Sequence, residues 1–329
     1  MKDLESLFKK IESLRVGVIG DLMLDTYMWG HVDRISPEAP VPVVLLDKKE
    51  FRIGGAGNVA LNCKALGADV SVISITGDDE DGHRLESMIK EKNIRTQYLF
   101  KTSKRVTTNK TRVIGRNQQM IRLDAEMAND LQKHDEDLLL EKLAAFISEV
   151  KPDVLIFEDY NKGVLTEKVI KQSTGLCKKN GIITAVDPKR KNFFSYKEVN
   201  LFKPNLKEVK EALNIQIDDV NLPLLNTIHR ELYRQLGHQV SLITLSDKGI
   251  YYHDPNTASL IPSHLRNIAD VSGAGDTVIA LASLVYAASQ NTHLMAEVAN
   301  IAGGLVCEEV GTAAVDKEKL LHECELLLT

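Results

Sequence analysis

Several kinds of chemistry have little to work with in this chain of 329 residues. Its four cysteines, Cys63, Cys177, Cys307 and Cys324, lie far apart with no CxxC pair. That excludes a disulfide framework and points to reduced thiols. The nine histidines show neither HxxxH nor HExxH spacing, so neither a structural nor a catalytic zinc site is indicated. Charge of one sign is also missing: 41 basic residues face 46 acidic ones, the net is −5, and no basic run stands out. Nucleic acid is therefore not an indicated partner. No apolar run reaches membrane-spanning length, and Met1 to Ser13 reads as a charged helical stretch rather than a signal peptide. The expectation is a soluble cytoplasmic protein with no membrane partner. There is no GxSxG elbow and no GxxxxGK[ST] loop, and His229-Arg-Glu231 lacks the aspartate of a protein-kinase catalytic loop.

What is present is a regular alternation. Val16–Ile19 reads as a buried first strand and Val70–Thr76 as a second, followed by an amphipathic helix over 81–93. Further on, predicted helices at 135–150, 166–180, 206–213 and 221–236 alternate with strands at 154–157, 182–186 and 240–244. Alternation of this kind means right-handed crossovers and a mostly parallel sheet. Polar clusters follow the strand ends: Asp21 and Asp25, then Glu158 to Gly163, then Asp187-Pro-Lys189, then Ser246 to Gly249. All fall along one edge, where open α/β sheets bind ligands. Asp21 and Asp25 can accept hydrogen bonds from sugar hydroxyls, or each can bond its own turn. Two stretches interrupt the alternation. Ile35–Leu46 carries Pro37, Pro40 and Pro42, which suits an edge strand or lid. Residues 105–124 read as a hairpin turning at Gly115-Arg-Asn117, with Lys110, Arg112, Arg116 and Arg122 as a basic face. That face is either solvated or a lid whose cations meet phosphate.

Near the end lies Asp270-Val-Ser-Gly-Ala-Gly-Asp276-Thr277, running into an apolar helix. Gly273, Ala274 and Gly275 leave backbone N–H groups uncovered at a helix start, a ready anion site. Asp276 follows in the first turn. A carboxylate beside an anion cradle is what phosphoryl transfer to a hydroxyl requires. The same residues also fit a plain capped helix with Ser272 as N-cap. Gly54-Gly-Ala-Gly-Asn58 opens another helix, with Asn58 offering both donor and acceptor. It matches GxGxxA at Gly55, Gly57 and Ala60, yet it does not follow the first strand as a dinucleotide fingerprint should. Asn300-Ile-Ala-Gly-Gly304 is a small-residue patch for helix packing or for a flat aromatic ligand.

The two glycine-rich regions, together with Lys203-Pro-Asn205, Glu208 and Thr244-Leu-Ser-Asp-Lys-Gly249, resemble the ribokinase-like (PfkB) sugar kinases over residues 14–315. Gly20-Asp-Leu-Met-Leu-Asp25, Arg34 to Val43 and Arg116 to Asp124 resemble, within that family, the D-glycero-D-manno-heptose 7-phosphate kinases of ADP-heptose synthesis. The resemblance implies a single ribokinase-like kinase domain over 1–329, a three-layer αβα sandwich with a mostly parallel central sheet and a small β-sheet lid from about 31–46 and 104–124. Many relatives carry a fused nucleotidyltransferase with an HxGH motif. That motif is absent, so the chain resembles the stand-alone kinase.

The roles implied are these. Asp276 is the catalytic base, with Gly273, Ala274 and Gly275 as the anion hole. Asp21, Asp25, Gly55 and Asn58 hold sugar hydroxyls, while Arg122, Lys162 and Lys189, with Asp187 beside them, serve the substrate's own phosphate. Asn205 and Glu208 position Mg2+ through water. Thr244, Ser246 and Gly249 line ATP, with Asn300 and Gly303 beside the adenine. The sugar phosphate and ATP are the partners, a monovalent cation belongs near Val271-Ser272, and the family habit is a homodimer. The rivals are another sugar kinase, a nicotinamide oxidoreductase and a non-catalytic sensor.

Overall fold

A computed structural model describes residues 4–328 other than 117, 218 and 265. Asn117 of the expected hairpin turn thus lies outside the described residues. In chain order, α1 (Leu4–Glu12) leads to β1 (Arg15–Gly20), then β2 (Leu22–Ile35) and β3 (Pro42–Gly55). Next come α2 (Ala56–Ala65), β4 (Asp69–Gly77), α3 (Glu80–Glu91), β5 (Arg95–Thr102), β6 (Thr108–Gly115) and β7 (Gln118–Ala125). The middle of the chain holds α4 (Lys133–Val150), β8 (Val154–Glu158), α5 (Glu167–Asn180), β9 (Ile183–Asp187), β10 (Leu201–Phe202), α6 (Leu206–Leu213) and α7 (Leu222–Leu236). It ends with β11 (Val240–Thr244), β12 (Ile250–His253), β13 (Ala258–Ile261), α8 (Ala274–Ser289), α9 (Thr292–Val306) and α10 (Lys317–Leu327).

Nine strands form one sheet in the order β13-β12-β11-β10-β9-β8-β1-β4-β5. Every pairing from β11 to β5 is parallel, and β12–β13 adds an antiparallel hairpin at one end. The central strands are buried on both faces, and their side chains alternate between two cores. Val154 and Ile156 of β8 join the core under α1, α2, α8 and α9, whereas Leu155 and Phe157 join the core under α4, α5 and α7. That is the period-2 geometry of a strand covered on both sides by helices. Each such fully buried large side chain contributes roughly 1.5–3 kcal/mol relative to exposure. The result is a three-layer αβα sandwich.

A second sheet of four strands, β3-β2-β6-β7, stands apart from this sandwich. It begins closer to the core than the prolines mark, because β2 leaves directly from the end of β1 and β3 returns to α2. Pro42 sits at the start of β3, an edge strand, where a missing backbone donor is tolerated.

Local signals explain most helix starts. Asp79, Thr166, Asn205, Asn221, Asn291 and Asp316 each accept a bond from a backbone N–H of the helix that follows. Two helices differ. Both α2 and α8 start at a glycine with positive φ, Gly55 at 57° and Gly273 at 81°, and neither has a side-chain cap. Left-handed backbone at these points favours glycine, and both uncapped starts face the same place.

Candidate active site

The α8 start is built as an open end. Ser272, a possible cap, instead donates its hydroxyl to Asp270 Oδ1 at 2.8 Å, and the Asp270 carboxylate also accepts from Ser272 N–H and Gly311 N–H. The plain capped-helix reading therefore fails. Of the three cradle amides, Ala274 N–H makes a long turn contact to Val271 O at 3.3 Å. A Cβ on Gly275 would lie 3.8 Å from both Asp187 Oδ2 and Lys203 Nζ, so α8 points at that pair.

Asp276 is 3% exposed, and donors from two other elements meet it. Asn58 Nδ2, in the first turns of α2, donates to Oδ2 at 2.8 Å. The Tyr160 hydroxyl, from the loop after β8, donates to Oδ1 at 2.7 Å. Burial pushes the Asp276 carboxyl up to about 6, and these two bonds hold it from rising further. Such a group is ionised at neutral pH and still able to take a proton.

Around it stands a cluster of buried charge. Lys203, 2% exposed, pairs with Asp187 Oδ2 at 2.7 Å. Lys189 Nζ lies 2.5 Å from Glu208 Oε1 and 3.4 Å from Asp187 Oδ1. Burial opposes charge on Lys189, yet Asp187 and Glu208 hold its pKa above the ordinary value. Glu208 and Asn205 form a capping box at the start of α6: Glu208 N–H donates to Asn205 Oδ1, and Asn205 N–H donates to Glu208 Oε2, each at 2.8 Å. Glu158 is fully buried at the end of β8 with no partner for either carboxylate oxygen. Burial, then the charges of Asp187 and Asp276, pushes its pKa well above the carboxylate range.

Several of the expected site residues already have protein partners. Asp21, read as a sugar ligand, accepts from the backbone N–H groups of Tyr160, Lys162 and Val164 at 2.8, 3.0 and 3.2 Å. The alternative of an aspartate bonding backbone is the one realised, across 139 residues rather than within its own turn. Lys189, expected at the substrate's phosphate, pairs with Asp187 at the end of β9 and with Glu208 in the first turn of α6. Lys162 pairs with Glu126 at 2.6 Å. Arg122 is exposed on the lid and pairs with Asp124. Asp25 does face the lid interior, where Arg112 donates to it at 2.6 Å.

The register of β2, β6 and β7 places Asp25, Lys110, Arg112 and Arg122 on one lid face. Lys110 Nζ stands 5.3 Å from the Tyr160 ring centroid, and burial lowers its pKa against the pull of Asp25. Gly55 and Asn58 begin α2 below that face. A Cβ on Gly57 would come within 2.3 Å of Ile53 Cγ2, so this glycine serves packing. The GxGxxA run joins a lid strand to α2 and not the first βα unit of the main sheet, which removes the dinucleotide reading.

On the other side of the Asp187 cluster, Asn205 and Thr244 bridge as neighbouring strand residues. Ser246 takes φ 59°, and Gly249 takes φ 95° where a Cβ would meet Ile261 O at 2.0 Å. Asn300 donates to Pro262 O at 2.8 Å. Val278 packs on Gly303 and the Arg266 guanidinium on Gly304, so tight packing is the use that the small-residue patch has here. Among the described residues no group of three His, Cys, Asp or Glu side chains converges as a metal cage.

The sequence reading missed Tyr160, Lys203 and Glu158 as site residues. The signal was there: all three lie in motifs already marked at strand ends.

Comparison with known proteins agrees with this geometry. The model of the pfkB family of carbohydrate kinases matches residues 14–319. The chain belongs to the pfkB family. It is thus a phosphotransferase acting on a sugar hydroxyl, in a family that uses ATP with a divalent metal. It is 40% identical over 303 residues to the bifunctional protein HldE of Aliarcobacter butzleri, covering 92% of this chain and 63% of that one. It is 38% identical over 323 residues to HldE of Citrifermentans bemidjiense, covering 98% and 66%. The chain therefore spans about two thirds of the length of these relatives. Among solved structures, phosphofructokinase-2 from Escherichia coli in complex with potassium superposes with a TM-score of 0.78 at 18% identity, covering 95% of this chain and 99% of that one. Arabidopsis thaliana ribokinase complexed with ribose and ATP gives 0.72 at 13% identity, covering 94% and 99%. These two likenesses speak for the ribokinase-like fold alone. No helix among the described residues is long and apolar enough to cross a membrane.

Proposed function

We propose that this pfkB kinase transfers the γ-phosphoryl group of ATP to O1 of D-glycero-D-manno-heptose 7-phosphate, giving the 1,7-bisphosphate for ADP-heptose and lipopolysaccharide precursor synthesis. The observation that carries the reading is the position of Asp276. Its carboxylate is bonded to Tyr160, whose ring is approached both by Lys110 of the lid and by Lys189 of the Asp187–Lys203–Lys189–Glu208 cluster. A substrate phosphorylated at one end and accepting phosphate at the other suits such a site. Resemblance to HldE over nearly the whole chain supports the choice of heptose.

In this mechanism Asp276 takes the proton of the O1 hydroxyl as that oxygen attacks. Asn58 and Tyr160 fix the carboxylate, and Gly55 lets the backbone approach the sugar. Asp25 accepts from a sugar hydroxyl, while Lys110 and Arg112, with Lys162 and Arg122 at the rim, hold the 7-phosphate. Gly273, Ala274, Gly275, Lys189 and Lys203 face the charge on the moving phosphoryl group, where positioning and neutralisation supply most of the rate. Thr244, Ser246 and Gly249 line the nucleotide, with Asn300 and Gly303 at its base. A divalent ion such as Mg2+, entering with ATP, would supply neutralisation of phosphate charge. Glu208 with Asn205, and the buried Glu158, are hard oxygen donors that would hold such an ion through water rather than as a cage of carboxylates. The Asp270 loop is the place for a monovalent cation.

The lid also carries exposed Ile35, Leu45, Leu46, Ile121 and Leu123. An apolar surface of this kind supports a homodimer joined through the lids, and the free thiols fit a cytoplasmic setting. The test is a substrate panel. With ATP and Mg2+, the heptose 7-phosphate should give the highest kcat/KM and a new anomeric phosphate signal in 31P NMR. Better turnover of fructose 6-phosphate or ribose would assign the site to another sugar.

A further inference from the structure

Tyr160 stands where the halves of the site meet. Its hydroxyl donates to Asp276 Oδ1 at 2.7 Å, and its backbone N–H donates to Asp21 Oδ2 at 2.8 Å. Two ammonium groups approach its ring: Lys110 of the lid at 5.3 Å and Lys189 of the sheet edge at 5.4 Å from the centroid. Both contacts are within cation–π range.

We propose that Tyr160 is a positioning residue of the phosphoryl transfer, whose hydroxyl keeps the Asp276 carboxylate ionised and aimed at the acceptor hydroxyl. The proposal rests on the reading of Asp276 as the base. The direction of the bond follows from chemistry. An ionised carboxylate has no proton to give, so the phenol must donate, and donation to the charged form favours that form. Aim follows from the pair of donors: with Asn58 on one oxygen and Tyr160 on the other, the carboxylate plane cannot rotate without breaking both bonds. Each carboxylate oxygen keeps a second lone pair, so the acceptor hydroxyl can bond Oδ1 or Oδ2 without displacing either donor. The Tyr160 backbone is held equally firmly, because Asp21 grips the N–H groups of residues 160, 162 and 164 at once. Ring packing does not require the hydroxyl, since phenylalanine fills the same volume beside the two lysines. The oxygen is therefore there for its bond.

The experiment is Tyr160→Phe in the full chain, with kcat followed against pH for whichever sugar phosphate the panel identifies. Loss of one hydrogen bond to a charged group should move the acid limb of the profile upward by about one pH unit. The KM for ATP should stay within about twofold. The isosteric replacement of Tyr160 by 3-fluorotyrosine, a stronger donor, should move the limb the opposite way and covers the case in which Tyr160→Phe does not fold. An unmoved limb in the fluorinated protein, or a change confined to KM, overturns the proposal. Asp276→Asn run in parallel separates the layers. If that variant turns over normally, the base assignment falls. If it is inactive while the Tyr160 profiles do not move, only the role of Tyr160 falls.

Discussion

The edge of the nine-stranded sheet and the inner face of the lid both carry lysines, arginines and carboxylates, yet they handle charge in opposite ways. At the sheet edge the cations are already answered: the buried Lys203 by Asp187, and the partly buried Lys189 by Glu208 and Asp187. On the lid they are half-buried or exposed. Arg112 is answered by Asp25, but among the described residues Lys110 stands against the Tyr160 ring and Arg122 meets its neighbour Asp124. Buried pairs are costly to rearrange, whereas half-solvated cations can turn to whatever anion arrives. This is the division expected if the sheet edge performs a reaction common to the family and the lid chooses the sugar.

The largest expected effect lies at the junction. Asp276→Asn should cut kcat by roughly 10²-fold or more, the range of a general base, with nucleotide binding retained. Turnover near that of the unchanged protein would take Asp276 out of the role. In the unchanged protein kcat should fall as pH drops through about 6, because the base is then protonated. At the sheet edge, Lys203→Met strips the buried Asp187 of its nearer cation and leaves it, among the described residues, only Lys189 at 3.4 Å, so unfolding in denaturant should show a loss of about 3 kcal/mol. A loss below about 1 kcal/mol would mean that the pair is not buried in solution and would erase the contrast drawn here. On the lid, Lys110→Ala should raise the KM for the sugar phosphate about tenfold, equal to about 1.4 kcal/mol, and leave stability and the KM for ATP unchanged. Equal effects on both substrates would place Lys110 on the nucleotide side.

Much of this architecture could be read from residue order. The alternation of strands and helices, the glycine starts of α2 and α8, and the hairpin of β6 and β7 all had local signals. β5, with Arg95, Gln97 and Lys101 in its run, lacks the unbroken apolar character of a central strand. β12 and β13 are only four residues each. α10 is only eleven residues long, and its mixed polar and apolar run gives a weak periodic signal. In the site, the failures share one cause. The role of Asp21 depends on a loop 139 residues away, and that of Lys189 on Glu208, which no spacing rule links to it. Tyr160 was passed over because a lone tyrosine in a polar loop looks like surface until the fold sets an aspartate beneath its hydroxyl.

Asn62 gathers distant parts of the chain: its side-chain oxygen accepts from the Thr277 hydroxyl at 3.1 Å and from Val315 N–H at 3.0 Å, while its amide donates to Asn58 O. Asn58 in turn reaches Asp276 across 218 residues. The Asn58–Asp276 bond and the Asn62 contacts to Thr277 and Val315 can therefore form only after the last part of the chain has been synthesised.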